Sequence, residues 1–198
     1  MKCQIACSQR FLICSIGNPG TKYRFTRHSL GHYILEQIRS HFGFSVFRND
    51  LSDLGMYAEN ENLPFLLFQS NVFMNESGKA VQKAWNKFCL DTIIQKGKRP
   101  VLVILHDDIE EEFGTVKIRE RGKGRGHKGV QSCIKSLLTE SFVRFSIGLG
   151  RPLTRESKNV IKFVLQKLSP QELDYINEIT VPKVVREIEK LKNRVKTE

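Results

Sequence analysis

No stretch rich in proline, glycine and serine divides these 198 residues, and no segment repeats. Nothing marks a linker or an array, so a single domain over residues 1–198 with one buried core is expected. Apolar runs fall well short of the roughly 20 residues that cross a bilayer, which argues against a membrane protein. Neither a hydrophobic signal sequence nor a CxxC pair occurs, and the five cysteines (Cys3, Cys7, Cys14, Cys89, Cys133) are odd in number. Unpaired thiols in a reduced compartment follow, cytoplasmic or mitochondrial, the latter hinted at by Lys2 and Arg10 in an acid-free start. The chain also lacks a G-x-S-x-G elbow, and Cys14 falls inside an apolar run, where a thiol is inert, so covalent catalysis has no evident nucleophile. Acid is scarce as well: 21 Asp and Glu face 32 Lys and Arg, a net charge of +11. Such an imbalance favours a polyanion as partner, nucleic acid ahead of an anionic membrane surface, and no membrane partner is expected.

What is present alternates between two periods. "FLICSI" (11–16), "GMYAEN", "PFLLFQS", "PVLVILHDD", "TVKIRER" and "FVRFSIGLG" read as strands. "PVLVILHDD" is apolar almost throughout, as a central strand buried on both faces would be. Between them, "SLGHYILEQIRSHF" carries Leu30, Ile34 and Ile38 at helical spacing, "NESGKAVQKAWNKFC" carries Val81, Trp85 and Phe88, and "VQSCIKSLL" reads as a third helix. Ser169 and Glu172 with Pro170 form a capping-box pattern, and a last helix from about Pro182 places Val184, Ile188, Leu191 and Val195 on one stripe. The predicted class is α/β: a single domain with a twisted mixed β-sheet flanked by helices.

Chemistry gathers at the junctions between strands and helices. Asn18, in the Gly-Asn-Pro-Gly turn, is either a turn residue or an amide presented to a cleft at the carboxyl end of its strand, where it can both donate to and accept from a peptide backbone. Thr26 is placed to cap the helix that follows, with His28 in its first turn. Asp107 ends the expected central strand, so His28 held by Asp107 would make a general base. Asp108 reads as part of a solvated acidic loop with Glu110, Glu111 and Glu112. Asn75 stands at a similar junction, as a helix cap or a cleft residue. His28 and His32 could ligate a metal, but the residues between them lack the glutamate of H-E-x-x-H, and no metal is expected. In the segment Lys117–Lys128, the cations Lys117, Arg119, Arg121, Lys123, Arg125 and Lys128 alternate with glycines, so ammonium, guanidinium and backbone amides can all approach phosphates. Gly124, Gly126 and Gly129 spell G-x-G-x-x-G, yet no acidic ribose partner follows, so no dinucleotide cofactor is implied.

Taken in order, "IGNPGTKYRFTRHSLG", "FMNESG", "HDD", "GRGHKGV" and "IGLGRP" resemble the successive signatures of bacterial-type peptidyl-tRNA hydrolases, over Phe11 to Leu173. The resemblance implies a metal-independent, cofactor-free monomer that cleaves the ester between a peptide and the 3′ ribose of tRNA. By matching motif, His28 would activate water and Asp107 would orient it, the catalytic pair. Asn18 and Asn75 would hold the peptide backbone and the water, Tyr23 and Met74 would line the cleft, and Lys128 occupies a further substrate-binding position. Lys117, Arg119, Arg121, Lys123 and Arg125, with Arg144 and Arg151, would grip the acceptor stem. A non-catalytic RNA-binding relative of the same fold is the alternative. Three departures stand out: His28 is followed by Ser29 where the family has asparagine, Lys128 replaces a third active-site asparagine, and Ser146 stands where a basic residue is common. Lys128 either enters the cleft or joins the phosphate-binding loop, and the second pose is favoured for a long, flexible cation.

Overall fold

Residue parity in two apolar strands sets the architecture. The computed structural model describes residues 9–50, 52, 54–95, 97–152 and 156–194, so Lys2, Cys3, Cys7 and Val195 lie outside it. β1 (Gln9–Ser15) and β5 (Arg99–Asp108) pair in parallel, with Phe11 opposite Val101 and Ile13 opposite Val103. Successive side chains of a strand point to opposite faces. Phe11, Ile13, Val103 and Leu105 therefore pack on one face against α1 (Leu30–His41) and α6 (Val181–Arg194). Leu12, Cys14, Leu102 and Ile104 pack on the other against α2 (Ser77–Leu90) and α3 (Lys128–Leu137).

β2 (Arg48–Asp50), β3 (Gly55–Glu59), β4 (Phe65–Ser70), β6 (Val116–Arg119) and β7 (Val143–Gly148) complete a seven-stranded sheet of order β2-β3-β4-β1-β5-β7-β6. Its four middle strands are parallel, and β2, β3 and β6 join antiparallel, which makes the sheet mixed. The chain leaves β1 toward β4 and later crosses back to β5, so the carboxyl ends of β1 and β5 flank a topological switch point, where open α/β sheets hold ligands. Asn18 follows β1 and Asp107 ends β5.

Helix docking brings the junctions together. Gly31 leaves room where α1 meets β5: a Cβ there would stand 2.6 Å from the Leu105 carbonyl oxygen. Gly78 does the same for α2 against α3, a Cβ falling 2.0 Å from the Ser132 carbonyl. Thr26 does not cap α1. Its hydroxyl donates to the Tyr23 carbonyl at 2.8 Å and lies 3.2 Å from Ser29 Oγ, and a 3-10 turn over Arg27–Ser29 leads into the helix instead. The expected capping box at Ser169 and Glu172 is present and opens α5 (Pro170–Tyr175). One helix was unforeseen, α4 (Ser157–Leu165), which lies against the 3-10 turn that carries His28. No described helix is long and apolar enough to cross a membrane.

Candidate active site

Asp107 shares parity with Val103 and Leu105, which turns its side chain to the face covered by α1, and the turn before α1 carries His28. The imidazole Nδ1 of His28 lies 3.0 Å from each carboxylate oxygen of Asp107. With Nδ1 donating, Nε2 keeps its lone pair, and the ring lines a cavity of about 420 Å³. Asp107 is 1% exposed. Burial alone would lower the pKa of His28, but the charge and hydrogen bond of Asp107 outweigh it, and the net shift is upward. For Asp107, burial would raise the carboxyl, and His28 and His127 hold it far below the usual carboxylate range.

His127 is the residue that sequence reasoning missed. Its Nδ1 accepts from the Val130 amide at 3.2 Å, capping α3, so the ring proton sits on Nε2 and is donated to Asp107 Oδ1 at 2.9 Å. The available signal was its position alone, directly before a helix and after a glycine-rich loop. The His28 and His127 rings lie 4.8 Å apart between centroids. Behind them, buried His106 donates from Nδ1 to the Asp107 carbonyl at 2.6 Å and accepts on Nε2 from Ser146 at 3.1 Å. Burial lowers the His106 pKa to about 3, so this ring is a neutral strut. Ser146 thus serves His106 rather than solvent.

The ligand atoms of His28, Asp107 and His127 lie within 4.8 Å of one another, a spacing at which a cation can be held. Here nitrogen and oxygen already face each other at hydrogen-bond distance, so a metal would have to break both contacts with Asp107. His32 takes no part: its Nδ1 meets Ser15 Oγ at 2.7 Å, inside β1.

α4 contributes the apolar side chains of Val160, Ile161 and Val164 to a cavity lined also by Arg119, Arg125 and Lys128. Asn18, Tyr23, Met74 and Asn75 form a separate group outside this cavity. Asn18 Oδ1 accepts from the Met74 backbone N–H at 2.9 Å, and the backbone N–H of Asn18 donates to Ser29 Oγ at 3.2 Å, beside His28 in the chain. Tyr23 meets Phe73 edge-on, Met74 is buried, and Asn75 is exposed on its turn without capping α2. A larger groove of about 1390 Å³ opens at the amino ends of the strands. Within it Arg10 pairs with Asp91 and Lys87 with Asp50, and none of its described lining residues is a histidine.

The basic segment is less free than its composition suggests. Glu111 receives Arg119 at 2.5 Å, Arg125 at 2.8 Å and Lys117 at 3.3 Å, and Arg151 pairs with Glu110. Arg121, Lys123 and Lys128 are exposed. Arg144 does not stand on the surface as expected: it is 2% exposed and donates to the Lys123 carbonyl at 3.1 Å, bracing the loop from within. Asp108 is likewise not solvated. It belongs to β5, is 7% exposed, accepts from the Glu110 amide at 2.9 Å and lies 3.4 Å from Arg125. Arg125 has a φ of 46°, left-handed backbone that costs a non-glycine residue about 1–2 kcal/mol.

A family model described as peptidyl-tRNA hydrolase matches residues 12–197. A curated peptidyl-tRNA hydrolase of Clostridium botulinum is 32% identical over 170 residues, 85% of this chain and 82% of that protein. One from Clostridium beijerinckii is 31% identical over 189 residues, 94% of this chain and 92% of its own. The crystal structure of peptidyl-tRNA hydrolase from Acinetobacter baumannii superimposes with a TM-score of 0.72 at 24% identity, covering 94% of each chain, and shows a shared fold.

Proposed function

The chain belongs to the peptidyl-tRNA hydrolase family, and on that premise we propose that its cleft hydrolyses the ester joining a peptide to the 3′ end of tRNA, with His28 as general base. The observation that carries the assignment is the one-sided use of His28: Nδ1 is spent on Asp107 and Nε2 is left facing a cavity. In this reading a water between Nε2 and the scissile carbonyl gives its proton to His28 as its oxygen adds to the carbon. The same proton passes to the departing 3′ oxygen of the ribose, and peptide carboxylate and tRNA separate. An ester has a good leaving group, so positioned water and a base worth roughly 10²–10⁴-fold suffice. Asp107 is a positioning residue that fixes the tautomer. Cys14 and Cys133 offer no competing nucleophile, because burial raises both thiols, Cys133 to about 12.

Asn18 keeps its amide NH₂ for a substrate carbonyl while its oxygen holds Met74, and Asn75, Tyr23 and Met74 extend that side toward the peptide. Arg121, Lys123, Lys128 and the cations around Glu111 face the acceptor stem. The protein acts as a monomer, both histidines and their carboxylate coming from one chain, and the buried thiols suit a reduced compartment, cytoplasmic or mitochondrial. The relatives bear the hydrolase name, which favours the enzyme over a non-catalytic RNA-binding role. The test is to incubate the protein with an N-blocked aminoacyl-tRNA and follow release of free tRNA. Release is expected, and a chain that binds the substrate without releasing tRNA would return the reading to a binding protein.

A further inference from the structure

Three cations meet one carboxylate at the rim of the cavity. Arg119 and Arg125 both reach Glu111 Oε1, at 2.5 and 2.8 Å, and Lys117 reaches Oε2 at 3.3 Å. The cluster comes from three segments, the edge strand β6, the glycine-rich loop and the turn after β5, so it is a tertiary arrangement and not a local helix pair. Arg125 points there from a left-handed backbone between Gly124 and Gly126. Guanidinium groups present donors in a fork that suits carboxylate and phosphate alike. Arg119 and Arg125 also line the cavity that contains His28, so an anion held here would lie beside the reacting ester.

We infer that Glu111 is a resident competitor at the tRNA-facing cations Lys117, Arg119 and Arg125, a carboxylate that holds them until a substrate phosphate displaces it. The inference rests on the hydrolase reading and adds to it a residue that sets affinity. Lys117, Arg119 and Arg125 all reach Glu111, while the other acids near Arg125 are Asp108, at 3.4 Å, and Glu110, which is itself paired with Arg151. A partly exposed pair is weak and screened by salt, so the carboxylate can yield to a polyanion that brings several phosphates at once. A short or misplaced anion does not repay the displacement, and the site thereby favours a substrate whose phosphates and ester are seated together.

The test measures binding of deacylated tRNA to the wild-type chain, to Glu111→Gln and to Glu112→Gln across a salt series. Glu112 is exposed on the same turn and outside the cation cluster, so its variant removes an equal charge without freeing the site. Glu111→Gln is expected to bind about 3- to 10-fold tighter at low salt, with the log-log salt slope steeper by about 0.9 for the one further phosphate that the freed cations neutralise. Glu112→Gln should stay within about twofold of wild type, where only diffuse charge acts. Unchanged or weaker binding by Glu111→Gln would show that the carboxylate merely orients the cations, and equal tightening by both variants would reduce the effect to net charge; either result overturns the inference while the hydrolase reading stands. A wild-type chain that neither binds tRNA nor releases it from substrate overturns both.

Discussion

The turn before α1 and the turn before α3 each deliver an imidazole to the same carboxylate, and the two histidines end in different chemical states. His28 approaches Asp107 through Nδ1 and keeps Nε2 for the cavity. His127 approaches through Nε2 because its Nδ1 is held by the Val130 amide. One ring is therefore half occupied and can take a proton, while the other has both nitrogens engaged and serves as a brace. Contact with a carboxylate does not make a histidine a base; a free second nitrogen does.

Removing the free ring should have the largest effect. His28→Ala is expected to lower single-turnover release of tRNA by roughly 10²–10⁴-fold, with the fold retained, because the His28 side chain lies outside both apolar cores. Circular dichroism separates that outcome from unfolding. Near-full activity in this variant would remove the basis of the comparison.

Asp107→Asn probes what the two rings share. A carboxylate fixes the tautomer of His28 and an amide does not, so turnover should fall on the order of a hundredfold or more. The pH profile gives a sharper reading. The His28 pKa is raised, so the acid limb of kcat/KM in the wild type should lie above 6.5, the base becoming neutral only as pH rises through that value. In Asp107→Asn burial alone acts, and the limb should move below 6.5. The sign for stability is the reverse. The ion pair contributes fully below the unfolded value of 6.5 and fades as pH rises through the raised folded value. A limb that does not move would show that Asp107 has little influence on His28.

His127→Ala should be milder, roughly tenfold in turnover if one of two restraints on Asp107 is lost, accompanied by a stability loss of about 1 kcal/mol from the missing helix cap. Its acid limb should stay where the wild type has it, because the His28 pKa is set by burial and Asp107. A loss as large as that of His28→Ala would mean that the brace takes part in proton transfer.

These contrasts also explain what was legible in the sequence. The uninterrupted apolar runs of β1 and β5 made the sheet readable, since a strand buried on both faces has no other use for them, and the capping box at Ser169 marked α5 by local chemistry alone. His28 and Asp107 were readable together because both stand at strand-to-helix junctions beyond the carboxyl ends of the parallel strands. Partners formed by tertiary contact were not. β2 has no hydrophobic pattern and exists through pairing with β3, Arg48 opposite Tyr57. α4 leaves Ile161 57% exposed and buries Val164, a weak stripe that acquires meaning only above the cavity. Asp108 reads with the acidic residues after it, yet β5 runs on to pair it with Gly148 and bury it. Arg144 counts by its charge in the sequence, although β7 buries it. His127 stayed hidden because histidine is not among the usual capping residues, and its bond to Asp107 joins two segments that the sequence keeps apart.

Lys128 gives the smallest expected effect and the finest test of the α3 side of the comparison. It is the first residue of α3 and is exposed, while the His28 pKa is set by burial and Asp107. An ammonium at a helix N-terminus opposes the macrodipole, at a cost of about 0.3–1 kcal/mol, so its place there is better explained by an external anion than by the fold. It cannot accept a hydrogen bond, and so cannot reproduce the asparagine amide that the resemblance leads one to expect. Lys128→Asn should therefore keep or raise turnover, slightly stabilise α3, and weaken tRNA binding, with the salt slope shallower by about 0.9 if one phosphate is no longer held. The measurements are turnover at saturating substrate and tRNA affinity across a salt series. A large fall in turnover with binding unchanged would place the ammonium among the groups that act on the ester, and the turn before α3 would then supply chemistry as well as support.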